Sequence, residues 1–277
     1  MKFQIVVDSS CDLKNDYIID DEIGFKVIPL TINVNGKEFY DDDNVDAQEV
    51  LRAMHEYSGK STTSCPPPGA FLEAFERAEN TVCINITSKL SGSYNSALQA
   101  KKIAAESGPN VHVIDSKLVC GAMILIVDKA YELMKQDLSF EEITKQLDEY
   151  TKELHLLFVL QKFDNFVKSG RMNKLSGVLA SILFIKPLCV ADDGEIKILE
   201  KIRTAKSAFK RLVDVIADKI NDFSNRKCII SHCQDEELAL DIKDKIKEKY
   251  NFKDVIIVKM KALCSYYALE KGIIVCF

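Results

Sequence analysis

Short β-branched, apolar runs alternate with helix-period segments along almost the whole chain. This alternation restricts the chain to an α/β architecture with a mostly parallel sheet. Strands are expected at 3–8, 26–34, 81–86 and 111–114, with helices near 46–57, 69–79, 93–107, 118–136 and 139–152. Asn35-Gly36 is a hairpin signal, so Val34 and Lys37 begin a short antiparallel excursion. Further strands are expected at 154–160, 184–190, 197–203, 228–231, 254–260 and 272–277, and helices from 205 to about 223 and at 236–250. Asp192-Asp193-Gly194 makes 184–190 and 197–203 a second hairpin, which gives the second half a mixed sheet. Counting elements divides the chain into an N-terminal Rossmann-like parallel domain, 1–153, and a C-terminal α/β domain, 154–277.

Charge and apolar content exclude several classes of function. With 37 basic and 42 acidic residues the net charge is −5, so no global basic field invites nucleic acid or an anionic membrane. Residues 241–253 carry five Lys, but these alternate with acidic and apolar residues as on a solvated helix face. The chain enters a strand directly after Met1-Lys2 without the pattern of a signal peptide. Its longest strongly apolar stretch, 118–127, is about half of what spans a bilayer. A cytoplasmic protein without membrane insertion is expected.

Nine cysteines are scattered at 11, 65, 83, 120, 189, 228, 233, 264 and 276, with no C-x-x-C pair. They are read as free thiols behaving as small hydrophobes, and no metal site or cofactor is expected.

The polar residues collect where strands end. Asp8 runs into Ser9-Ser10-Cys11-Asp12. Asn85-Ile86 runs into Thr87-Ser88-Lys89-Leu90-Ser91-Gly92-Ser93, and Ile114 into Asp115-Ser116. In a parallel sheet all three turns lie at the carboxyl edge, where open α/β folds bind ligands, and helix starts favour anions there. For Asp8, Asp12, Asp115 and Ser116, helix capping accounts for the residue type. Ser91-Gly92-Ser93 offers more than a cap needs: two hydroxyls around a glycine that lets a ligand approach the backbone. A second hydroxyl cluster, Ser61-Thr62-Thr63-Ser64, is stiffened by Pro66, Pro67 and Pro68. Neutral donors on such a loop bind a carboxylate without a counter-charge. The nearly uncharged stretch 175–188 reads as core or as the wall of an apolar tunnel with Arg171 at its mouth.

Catalysis finds little support. There is no G-x-S-x-G elbow, and Ser91-Gly92-Ser93 has no identifiable base. Of the four histidines only His232, after a strand, is placed to be presented by a strand end. Dinucleotide binding would need G-x-G-x-x-G where the chain has Asp8-Ser9-Ser10-Cys11. A Ser/Thr-nucleophile hydrolase or transferase acting on acyl groups is the alternative to a non-catalytic binding protein.

Together these motifs resemble the DegV family of bacterial fatty-acid-binding proteins. The matching pieces are Val7-Asp8-Ser9, Thr63-Ser64-x-Pro66-x-Pro68-Gly69-x-Phe71, Leu90-Ser91-Gly92-Ser93-Tyr94-x-Ser96-Ala97 and Asp115-Ser116. Lys168-x-Gly170-Arg171, Ile185-Lys186-Pro187, Asp193-Gly194 and Lys201-x-Arg203-Thr204 extend the match through the second half. The resemblance implies two α/β domains with one long-chain fatty acid extended in a cleft between them. By position it implies Thr63 and Ser93 as primary carboxylate ligands, supported by Ser64, Ser91 and the Gly92 turn, with Arg171 guiding the head group or a partner. It also implies, for some members, service as the acyl-binding subunit of a two-component fatty acid kinase, whose separate ATP-dependent subunit phosphorylates the bound acid.

Two departures stand out. Members usually carry Thr-Ser-Gln-Pro-Ser, and here Cys65 replaces the Gln and Pro67 the second Ser, which removes a helix cap. Kinase-associated members tend to end in a Gly-rich segment with a histidine, whereas 262–268 reads Ala-Leu-Cys-Ser-Tyr-Tyr-Ala. Lipid binding carries over more directly than the kinase role. Burying some 14 methylenes at about 0.8 kcal/mol each gives roughly 11 kcal/mol of gross attraction, so the tail sets affinity and the hydroxyls set orientation.

Overall fold

The computed structural model describes residues 1–106, 108–171 and 185–277. The first half contains β1 (Phe3–Asp8), β2 (Ile23–Ile28), β3 (Thr31–Val34), β4 (Lys37–Tyr40), α1 (Ala47–Glu56), β5 (Thr62–Ser64) and α2 (Pro68–Phe75). It continues through β6 (Asn80–Asn85), α3 (Ser93–Ala104), β7 (Asn110–Asp115), α4 (Gly121–Met134) and α5 (Phe140–Lys152). The second half runs β8 (Leu156–Val159), α6 (Asp164–Lys168), β9 (Leu188–Asp192), β10 (Glu195–Glu200) and α7 (Ala205–Asp214). Then follow β11 (Lys227–His232), α8 (Glu236–Lys249), β12 (Asp254–Lys259), α9 (Ala262–Ala268) and β13 (Ile273–Cys276).

β1 is buried at every position, the signature of a strand covered on both faces. It pairs in parallel with β2 and β6, and β6 with β7, giving the order β2-β1-β6-β7. The second sheet, β10-β9-β8-β13-β11-β12, is mixed: only β11 and β12 pair in parallel. Both hairpins form where the turn residues place them. Asn35 and Gly36 take φ of 54° and 82°, and Asp193 and Gly194 take 47° and 82°, the left-handed pairs that tight hairpins demand.

α4 joins the two sheets. Ten of its fourteen residues are buried, as in a helix enclosed all round. One apolar cluster runs from Ile5 and Val7 through Met123 and Ile126 to Leu156, Ile229 and Cys276. This accounts for the apolar stretch 118–127, and no helix among the described residues is long and apolar enough to cross a membrane.

Three local features depart from expectation. The strand expected at 26–34 is interrupted around Pro29 into β2 and β3, because a proline has no N–H for a ladder. The hydroxyl cluster is itself a strand, β5, paired antiparallel with β3 through Ile32 and Thr63. Residues 262–268 form α9, which packs with α1 and β3 around Leu30, Ile32, Val50 and Tyr266. Pro67 precedes α2 with no side-chain cap, as its replacement of a serine implies. Residues 175–184 of the uncharged stretch lie outside the described residues.

Candidate functional site

The carboxyl edge of the first sheet is organised around Asp8. This side chain is fully buried and accepts from the backbone N–H of Ile86 at 2.9 Å, the Ser93 hydroxyl at 2.7 Å, Asn85 Nδ2 at 3.4 Å and both the hydroxyl and N–H of Ser10. Burial pushes its carboxyl up, and the hydroxyl donors of Ser10 and Ser93 oppose that shift. Asp8 therefore ties the exit of β1 to the exit of β6. Asp115 does the same one strand over, accepting the N–H groups of Ser88 and Lys117. These acids structure turns rather than face a ligand.

Beside this edge lies a cavity of about 290 Å³, lined from both sides of residue 153. It is roughly twice the ~150 Å³ void that holds one benzene ring. Its wall is mainly apolar, with Ile86, Leu118, Phe158, Ile196, Leu263 and Ile274 among the contributors. Lys117, Arg171 and Glu195 are the charged residues on it among the described residues. Lys117 is paired with Asp193, and Arg171 donates to the carbonyls of Leu90 at 3.4 Å and Ser169 at 3.2 Å.

One stretch of the wall is polar. Thr63, Ser64, Cys65, Ser91 and Gly92 all line the cavity. The two hydroxyl loops are in contact: the Ser96 hydroxyl donates to the Pro66 carbonyl at 2.6 Å, and a Cβ on Gly92 would come within 3.0 Å of the Cys65 sulfur. A side chain at Gly92 would press on Cys65. Ser91 Oγ accepts the Ser93 N–H at 3.2 Å, which leaves its own O–H to donate outward. α9 supplies a further hydroxyl, because Tyr267 lines the cavity and bonds Thr63 Oγ1 at 2.8 Å. Its neighbour Tyr266, fully buried, bonds Ser61 Oγ at 2.8 Å. The wall also carries the β9–β10 turn, where the Thr87 hydroxyl donates to the Gly194 carbonyl at 3.0 Å.

Of the six residues expected to hold a carboxylate, Thr63, Ser64, Ser91, Gly92 and Arg171 converge on this one cavity. Ser93 is placed differently. It has no exposed surface, is not among the lining residues, and spends its hydroxyl on Asp8. Tyr267 was not legible as a site residue, although a pair of polar-tipped aromatics in a largely apolar segment signals that their hydroxyls need partners. His232 is buried, accepts the Asp235 N–H through Nδ1 at 3.3 Å, and is not on the cavity wall. Ser93 thus has no histidine at hand and no surface from which to attack.

Comparison with known proteins agrees with this geometry. A family model described as "Uncharacterised protein, DegV family" matches residues 2–277. A DegV domain-containing protein of Streptococcus pyogenes serotype M1 is 38% identical over 277 residues, covering 99% of this chain and 98% of that protein. The crystal structure of a DegV family protein from Ruminococcus gnavus, refined with vaccenic acid, superposes with a TM-score of 0.92 at 30% identity, covering 100% of this chain and 99% of that one. The fatty acid kinase (Fak) B3 protein of Streptococcus pneumoniae, loaded with linoleic acid, gives a TM-score of 0.92 at 33% identity with the same coverage. By the match over its whole length, this chain belongs to the DegV family.

Proposed function

We propose that the protein binds one long-chain fatty acid in this cavity, without chemistry of its own, and that the halves divided near residue 153 act as the two domains enclosing it. The observation that carries this reading is a mainly apolar cavity with one concentrated patch of neutral donors, Thr63, Ser64, Ser91 and Tyr267, on its wall. An apolar wall selects a hydrocarbon chain, and clustered hydroxyls select a single acceptor-rich end. The carboxylate accepts from Thr63, Ser64, Ser91 and the Gly92 turn, while Arg171 borders the head group. Ser93 supports the turn from beneath through Asp8. Relatives of the same fold carry vaccenic and linoleic acids, which have the chain length this reading requires.

The burial of Ser93 against Asp8 disfavours the hydrolase reading, in which that hydroxyl would be the nucleophile. The likeness to the fatty acid kinase B3 protein supports a role in presenting the acid to a separate ATP-dependent subunit. Tyr267 then occupies the segment in which other such members carry histidine. Native mass spectrometry of protein purified from bacteria tests the binding claim: one added mass of a C14–C18 acid per chain is expected, and a strictly ligand-free protein would count against it.

A further inference from the structure

Asp12, Cys120 and Cys264 come from three distant parts of the chain and meet beside the cavity, whose wall includes both cysteines. Asp12 closes the turn after β1, Cys120 precedes α4, and Cys264 lies in the first turn of α9. The two sulfurs are 3.2 Å apart, and both lie within 4.8 Å of an Asp12 carboxylate oxygen. All three residues are buried, Asp12 being 6% exposed. Asp12 Oδ1 accepts the backbone N–H of Lys261 at 2.9 Å, and the donors facing the rest of its carboxylate are the thiols of Cys120 and Cys264. A thiol is a weak donor, so this buried carboxylate is poorly satisfied, and a divalent ion would take the place of the two S–H protons.

We propose that Asp12, Cys120 and Cys264 form a binding site for a thiophilic divalent ion of the zinc type, with its fourth position turned toward the cavity. Two thiolates and a carboxylate are a zinc ligand set, and sulfur selects against magnesium and calcium. Tetrahedral zinc with Zn–S near 2.3 Å sets sulfurs about 3.8 Å apart, so the thiols need to separate by only about half an ångström. The Lys261 N–H on Oδ1 orients the carboxylate as an outer-shell donor does. An entry path exists, because Cys120 and Cys264 line the cavity together with Ser10, whose carbonyl accepts from Cys264 Sγ at 3.3 Å. Cys120 keeps φ at 54° and ψ at −131°, a conformation costly for any residue but glycine. Binding displaces one proton from each thiol. The ion's two positive charges against two thiolates and a carboxylate leave the site at −1, and the Lys261 ammonium acts on Asp12 from nearby.

The test uses full-length protein that has been delipidated, reduced and stripped with a chelator, so lipid occupancy does not enter. It is incubated with zinc chloride, desalted and analysed for metal, with cobalt(II) as an optical probe of thiolate coordination. One zinc per chain is expected, with sulfur-to-cobalt charge-transfer absorption and an affinity that rises with pH as thiol protons are released. Cys264→Ser and Asp12→Asn each weaken binding by more than about 100-fold, beyond what losing an outer-shell partner costs. Cys120→Gly, which suits the backbone at that position, folds and does the same, and Cys228→Ala, away from the cavity wall, leaves zinc uptake unchanged. Substoichiometric zinc in the parent protein, unchanged uptake by Cys120→Gly and Cys264→Ser, or a Cys120–Cys264 disulfide formed in place of metal uptake would each overturn the proposal.

Discussion

The hydroxyls of Thr63 and Tyr267 lie 2.8 Å apart although 204 residues separate them along the chain. One belongs to a three-residue strand and the other to a seven-residue helix, and each element is held by the same small cluster around Ile32 and Tyr266. The pairing makes Thr63 part of a two-hydroxyl unit rather than an isolated donor. Thr63→Ala and Tyr267→Phe should each weaken fatty acid binding by about 1–2 kcal/mol, roughly 5- to 30-fold. In a double-mutant cycle the two losses should fall short of additive, since each variant already breaks the shared hydrogen bond. Isothermal titration of delipidated protein measures both.

Ser93→Ala should act on stability more than on affinity. Its hydroxyl donates to buried Asp8, and leaving a buried acceptor without its donor costs about 1–3 kcal/mol. Urea denaturation should show that loss, while acyl affinity falls less than in Thr63→Ala. Activated esters should not be turned over by either protein.

The room available to the acyl chain is addressed by Ala191→Phe. Ala191 lines the wall beside Ile196, so a phenyl group there occupies space meant for methylenes. Each methylene excluded removes about 0.8 kcal/mol, and the acids that co-purify should shift to shorter chains in native mass spectra.

Gly194→Ala tests the β9–β10 turn. Its φ of 82° disfavours any side chain, and an added Cβ would lie 2.4 Å from Thr87 Oγ1. The variant should lose about 1–3 kcal/mol of stability, read by chemical denaturation, together with the Thr87–Gly194 hydrogen bond.

A pH dependence follows from Asp41. It is fully buried, with Oδ1 accepting the Ala262 N–H at 3.0 Å, and burial pushes its carboxyl up from 3.8 to about 7. The native state therefore keeps a proton that the unfolded state gives up above about pH 4. The stability that Asp41 contributes is complete below pH 4 and is lost as pH rises through 7, on the order of 4 kcal/mol in all. Denaturation of metal-free protein at pH 5 and pH 8 should show the decline. Asp41→Asn should remove about one proton's worth of slope, roughly 1.4 kcal/mol per pH unit.

The features legible in the sequence are those written in local chemistry. β1 coincides with its apolar run, and Asn35-Gly36 and Asp193-Gly194 declare their hairpins because few other residue pairs accept those dihedral angles. β5 and α9 were not legible for a shared physical reason. A Thr-Thr-Ser strand has no apolar period and exists through its pairing with β3. Six of the seven residues of α9 are buried, so it shows no amphipathic stripe to mark it as a helix. The hydroxyl loops could be named as ligand donors, but the hydrogen bond of Ser93 to Asp8 and the meeting of Cys120 with Cys264 are long-range contacts that no local pattern encodes.

The central claim, a hydrocarbon slot closed by uncharged donors, is tested most directly by titrating delipidated protein with saturated acids from decanoic to octadecanoic. The account predicts that affinity rises by about 0.8 kcal/mol, roughly fourfold, per added methylene until the cavity is filled. An affinity independent of chain length would contradict it.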